Sequence, residues 1–248
     1  MGSSSPTPSS NLNSSLSAVS SSTVSDNALN DIQKSGIIAC LRAQSAELAL
    51  EAARAALNAG VIVLEIVIST PGVLEVLQQL SQEYPRRTFG VGTVLHPDDA
   101  KHAINCGAKF LLSPAMVKDI LDYVSHEDAL YIPGVMTPTE ILSAFNAGAR
   151  MVKVYPISAL GGLKYISALK KPFPHIPMVA SQGIQLDLIE EYIAQGASSV
   201  VLSDAIFCRK AMMERNFEAI HQLSRTATLR AKDALERVKS LSRISWLV

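Results

Sequence analysis

Eight short apolar runs, each of strand length and each followed by a helix-length amphipathic stretch, narrow the folds open to this chain more than any other feature. They fall at residues 36–42, 61–68, 88–94, 109–114, 130–135, 151–156, 177–183 and 198–203. Near-continuous Val, Ile and Leu, rather than alternation with polar residues, is the pattern of parallel strands covered on both faces. Between the runs, residues 46–58 have the Ala, Leu and Arg content of a helix. Residues 138–146 begin with Thr137 placed to cap a helix and Pro138 at its first position. An internal echo supports the count: Asn58-Ala-Gly60, Asn105-Cys-Gly107, Asn146-Ala-Gly148 and Gln195-Gly196 each precede a strand closely. Glycine there supplies the left-handed helix end from which a chain turns sharply. Eight such units predict an α/β protein with the (β/α)8 TIM-barrel architecture. The alternative is a doubly wound open sheet, but no Gly-rich dinucleotide fingerprint follows the first strand.

At 248 residues one such barrel is the expected folded unit. We place it at residues 31–212, followed by a charged helical extension and tail at 213–248 whose simplest assignment is to cover one end of the barrel. Residues 1–30 differ in kind: Ser, Thr, Pro and Asn dominate, with no Lys or Arg before Lys34 and no acid before Asp26. Such a leader cannot bury enough apolar surface to offset its ordering entropy, so it is read as disordered. A Ser-rich, acid-poor leader suggests a chloroplast transit peptide, whereas its lack of arginine favours a plain tail on a cytoplasmic protein.

Charge excludes several function classes. Lys and Arg number 22 against 22 Asp and Glu, so nothing marks a nucleic-acid surface or attraction to anionic membranes. No apolar run is long enough to span a bilayer. Cys40, Cys106 and Cys208 are odd in number and set in apolar contexts, as expected of reduced core thiols. The five histidines show no metal-binding spacing, so no metal or other cofactor is expected. The expected partner is a small molecule.

Two runs carry a charge where none belongs. Lys153 sits in the β-branched run 151–156, and Glu65 is the one polar residue in the eight-residue run 61–68. Burial penalises the ammonium form and lowers a lysine's pKa, leaving a nucleophilic neutral amine. The pair is either a structural salt bridge or a nucleophile with a proton shuttle. In a parallel barrel chemistry sits at the C-terminal ends of the strands. Arg42, Thr93, Pro114 and Tyr155 stand there beside Glu65 and Lys153. An Arg with a neighbouring Thr suits a substrate carboxylate through charge-assisted hydrogen bonds.

Several segments together resemble the 2-keto-3-deoxy-6-phosphogluconate and 2-keto-4-hydroxyglutarate aldolases. These are Gly90-Val-Gly-Thr-Val94, Ser113-Pro114, residues 132–140, the strand around Glu65, and Val-Lys153-Val-Tyr-Pro156. The likeness runs from about residue 32 to 210. It implies a metal-free, class I aldolase of homotrimeric (β/α)8 form that splits a 2-keto acid into pyruvate and an aldehyde. By that likeness Lys153 is the Schiff-base lysine and Glu65 the acid/base. Arg42 and Thr93 hold the pyruvate carboxylate, and Pro114 and Tyr155 shape the pyruvyl pocket. The Leu-Arg42-Ala-Gln-Ser45 segment is similar to one branch of the family; another has an arginine where Ser69 stands.

The likeness departs at the substrate's far end. Family members that bind a distal phosphate carry a Thr-Gly-Gly turn after strand seven and a Gly-Ser pair after strand eight. Here Ser181-Gln182-Gly183 and Ser203-Asp204 stand instead, with Ser181 and Gly183 expected at the substrate and Asp204 either facing it or capping the last helix. The rival functions are a non-catalytic barrel with a degenerate phosphate site and a sugar-phosphate isomerase or epimerase.

Overall fold

Nine parallel strands form one sheet in the computed structural model of the chain, which describes residues 1–2 and 23–244. They are β1 (Ile37–Leu41), β2 (Val63–Val67), β3 (Thr88–Gly92), β4 (Phe110–Leu112), β5 (Leu130–Ile132), β6 (Gly134–Val135), β7 (Val152–Val154), β8 (Met178–Ser181) and β9 (Ser199–Leu202). Their order is β5-β4-β3-β2-β1-β9-β8-β7-β6. The two edges, β5 and β6, are halves of one predicted run, parted at Pro133, which has no N–H to give a ladder. Since β5 pairs with β4 and β6 with β7, the chain itself bridges the seam of a nearly closed barrel. Gly134 permits that passage: a Cβ there would lie 2.1 Å from the Pro114 carbonyl oxygen. Counted this way the barrel has the eight strands expected from the periodicity.

The repeated helix ends behave as their composition requires. Gly60, Gly107, Gly148 and Gly196 have φ of 109°, 103°, 107° and 99°, a region closed to most L-residues. Helices Ala46–Asn58 and Pro138–Asn146 have the predicted bounds, and Thr137 caps the second in a reciprocal box with Glu140. Inside the barrel, Ile38, Val63, Phe110, Leu130, Met151 and Val179 form a dry lower layer. Gly90 makes room for one of them, since a Cβ there would be 2.5 Å from the Phe110 ring.

The barrel's floor is closed from a different part of the chain than expected. Helix Val24–Ser35 lays Ala28 and Ile32, both fully buried, against that lower layer. Thr23 and Asp26 form a capping box at its start, and the Val24 and Ser25 amides donate to Asp128 at 2.7 and 2.9 Å. Arg150 donates to Asp26 at 2.6 Å, and the Thr88 hydroxyl donates to Asp31 at 2.5 Å. The leader expected over 1–30 is therefore helical from Val24, while its residues 3–22 lie outside the described residues. The apolar spacing of Ala28 and Ile32 is too short a signal to stand out against the serines before it.

The C-terminal extension does not cover an end. Helix Phe217–Ile244 packs along the wall against helices Ala46–Asn58 and Ile189–Ala194, completing the outer ring between β9 and β1. Buried Ala227, Ala231 and Ala234 give it a small-residue face for close approach. Arg215 donates to Glu47 and Glu51 at 2.9 and 2.7 Å, tying its start to the neighbouring helix.

Candidate active site

Strand register decides which side chains share the barrel's upper layer. Cys40 is paired with Glu65 across β1 and β2, and Glu65 with Gly90 on β3. On the other side of the barrel, Lys153 of β7 is paired with Gly134 and Val179. Glu65 and Lys153, only 3% and 5% exposed, both face a cavity of about 500 Å³ at the C-terminal mouth. The cavity is also lined by Arg42, Thr93, Pro114, Tyr155, Ser181 and Gly183, so every site residue expected from the sequence meets there.

Local structure holds each group. Arg42, just past β1, donates from Nη1 to the Ser69 hydroxyl at 3.3 Å, and the next amide, Ala43 N–H, donates to Thr70 at 3.4 Å. Thr93 follows β3 at φ 62°, an uncommon conformation for a β-branched residue that costs about 1–3 kcal/mol and clusters at functional sites. The loop bearing Pro114 is pinned by Tyr131, whose hydroxyl lies 2.6 Å from that of Ser113 and accepts from Val117 N–H at 3.0 Å. The Tyr155 ring centroid lies 5.2 Å from Lys153 Nζ. Gly92 leaves the Glu65 carboxylate its place, with no side chain between β3 and that group.

The electrostatics follow from burial. Desolvation lowers the Lys153 pKa below that of an ordinary lysine, and the facing Glu65 carboxylate only partly restores it. Desolvation raises the Glu65 pKa, opposed by Lys153, by the neighbouring Cys40 thiol, and by Arg42. Burial beside that carboxylate pushes the Cys40 thiol well up, so it stays protonated. Glu65 and Lys153 are not within ion-pair distance, and Glu65 Oε2 has no hydrogen-bond partner. The structural salt bridge is thus not formed. Both groups line the cavity, an amine with a lowered pKa on β7 and a carboxyl with a raised one on β2, an arrangement suited to nucleophilic and acid/base chemistry. Among the described residues no group of three or more His, Cys, Asp or Glu is arranged to hold a metal ion.

Sequence reasoning left Cys40 among the inert core thiols, yet it lines this cavity. The signal was its place two residues before Arg42, on the same face of one strand. Gln182, Gln185, Ser203 and Asp204 also line the cavity. Asp204 does not cap the following helix, whose cap position is Cys208.

A barrel with this lysine and glutamate at its mouth has the form of a Schiff-base aldolase, a carbon-carbon lyase. The KDPG and KHG aldolase family model matches residues 29–223, and the chain belongs to that family. It is 29% identical over 181 residues to the 2-dehydro-3-deoxy-phosphogluconate aldolase of Dickeya dadantii, covering 73% of this chain and 85% of that one. It is 27% identical over 186 residues to the KHG/KDPG aldolase of Escherichia coli K12, covering 75% and 87%. Among solved structures, the KDPG aldolase of Legionella pneumophila, with pyruvate captured as a covalent carbinolamine, superposes with a TM-score of 0.75. That match is 26% identical and covers 81% of this chain and 97% of the other.

Proposed function

We propose that this chain cleaves, or forms, a 2-keto-3-deoxy or 2-keto-4-hydroxy acid through a Schiff base on Lys153, with pyruvate as one fragment. The observation that carries this reading is the buried amine of Lys153, its pKa lowered by desolvation, lining one cavity with Glu65 without an ion pair to it. The neutral amine adds to the C2 carbonyl to give a carbinolamine, which takes up a proton and loses water to form an iminium. Glu65 takes the proton from the C4 hydroxyl, directly or through a water. The C3–C4 bond then breaks, its electron pair moves into the iminium, and the aldehyde departs. Returning the proton from Glu65 to C3 and hydrolysing the imine frees pyruvate and restores the amine.

Arg42 is the cation placed for the pyruvate carboxylate, and Thr93, fixed in its unusual conformation, is its hydroxyl partner. Pro114 and Tyr155 wall the pyruvyl methyl, and Ser181 and Gly183 border the departing aldehyde. The likeness to the family supports a homotrimer, which sedimentation would check. The acid-poor leader supports a chloroplast address and the bacterial relatives a cytoplasmic one; a fluorescent fusion of residues 1–30 separates the two.

Incubation with pyruvate and borohydride tests the mechanism. A stable adduct of reduced pyruvate on the peptide containing Lys153 is the expected result. A folded protein with that lysine unmodified would end the proposal.

A further inference from the structure

The cavity's charges are divided unevenly along its length. Its lining holds two cations, Lys153 and Arg42, and two acids, Glu65 and Asp204. In the aldolase reading, on which this inference rests, Lys153 is taken by the ketone and Arg42 by the adjoining carboxylate. The aldehyde fragment then lies against the loops that follow β8 and β9, where Gln182, Gln185, Ser203 and Asp204 offer this cavity amides, a hydroxyl and a carboxylate, while Arg209 lines the adjoining pocket that Ser203 and Asp204 share.

That surface is built rather than incidental. Gln182 has φ 85° and Gly183 φ 76°, so the turn after β8 passes through two left-handed residues in succession. Gln182 is a non-glycine residue in a costly conformation. Its side-chain oxygen accepts from the Ser158 hydroxyl at 3.2 Å, which holds the carboxamide over the turn. Gly183 closes against the same residue, since a Cβ there would lie 2.6 Å from Ser158 Cβ. The amide is therefore fixed in the space beside the turn. Asp204 stands on the neighbouring loop, exposed at the rim of the same cavity.

We infer that the distal end of the natural substrate is an uncharged, hydroxylated chain, and that Asp204 and Gln182 select it. Hydroxyls donate to a carboxylate and to an amide oxygen and accept from an amide N–H. A phosphoryl dianion in the same place meets the Asp204 carboxylate and is repelled, with Arg209 outside this cavity's lining.

The test compares kcat/KM for cleavage of a 2-keto-3-deoxy aldonate with a free terminal hydroxyl and of its terminal phosphate ester. Wild type and Asp204→Asn are compared, the variant keeping the side chain's shape while removing its charge. The wild type should prefer the free hydroxyl by roughly tenfold or more, and Asp204→Asn should narrow that ratio by a similar factor. A wild type that prefers the phosphate ester, or a ratio that Asp204→Asn leaves unchanged, overturns the inference. Borohydride trapping of pyruvate on wild-type Lys153, run alongside, separates the two levels. An adduct together with a phosphate preference sinks only the selectivity, whereas no adduct sinks the aldolase reading and this inference with it.

Discussion

Gly92 and Glu65 compete for one volume: a Cβ at residue 92 would fall 1.6 Å from the Glu65 Oε1 atom and 2.8 Å from its Cγ. The glycine's φ is not in the left-handed region, so alanine is excluded there by the carboxylate and not by the backbone. Gly92→Ala should swing the carboxylate out of line with the cavity while sparing Lys153. A misplacement of about 1 Å can cost 10²-fold. Cleavage kcat should fall by about that factor, while pyruvate still adds to Lys153 on borohydride trapping. Unchanged kcat would mean that the placement of this carboxylate is not needed.

The pH dependence of adduct formation reports Lys153 directly. Because burial lowers its pKa, the reactive neutral amine is populated at lower pH than in an ordinary lysine. The trapping rate should therefore rise with pH through a midpoint below the lysine reference of about 10.4. The Glu65 charge acts in the opposite sense, favouring the ammonium form. Glu65→Gln should move the midpoint lower still, and an upward move would contradict the electrostatics.

Cys40 should act through Glu65. Its thiol lies beside the carboxylate in the register of β1 and β2 and favours the charged form, offsetting part of the rise caused by burial. Cys40→Ala removes that thiol, so the Glu65 pKa should climb further. The acidic limb of the pH–rate profile should shift to higher pH, while Cys40→Ser, which keeps a donor, should stay closer to wild type. In the intact enzyme the raised thiol should alkylate slowly with iodoacetamide at neutral pH.

The floor of the barrel rests on Ile32. Its side chain is fully buried between the N-terminal helix and the lower interior layer. Ile32→Ala should cost about 2–5 kcal/mol, measured by urea denaturation. Thr23→Ala, which removes the cap of the same helix, should cost about 1 kcal/mol. A loss at Ile32 no larger than that at Thr23 would show that the helix is held by its polar ties and not by its apolar face.

What could be read in the chain, and what could not, follows the range of the forces involved. Strand runs, helix ends and the misplaced charges of Glu65 and Lys153 are local signals, since burial on both faces leaves only apolar residues and any exception stands out. That two charges on strands far apart in sequence face one cavity without touching is a matter of register, set by the pairing of Cys40 with Glu65 and of Lys153 with Val179. The role of Cys40 was hidden because a cysteine in an apolar strand looks the same whether it packs in the core or lines a mouth. The placement of the two terminal helices was hidden for a related reason. Ala28 and Ile32 cover the floor and Ala227, Ala231 and Ala234 line the wall, yet amphipathic helices of this length carry no mark of which surface they will meet.

The seam at Pro133 bears on how the protein behaves among its own copies. An open sheet invites strands from other molecules onto its margins. Here the margins are the three-residue Leu130–Ile132 and the two-residue Gly134–Val135, joined to each other by a proline that cannot donate. A foreign strand finds too few groups in a row to zip onto, so a chain this rich in valine and isoleucine is shielded from cross-β association by where it chose to interrupt itself.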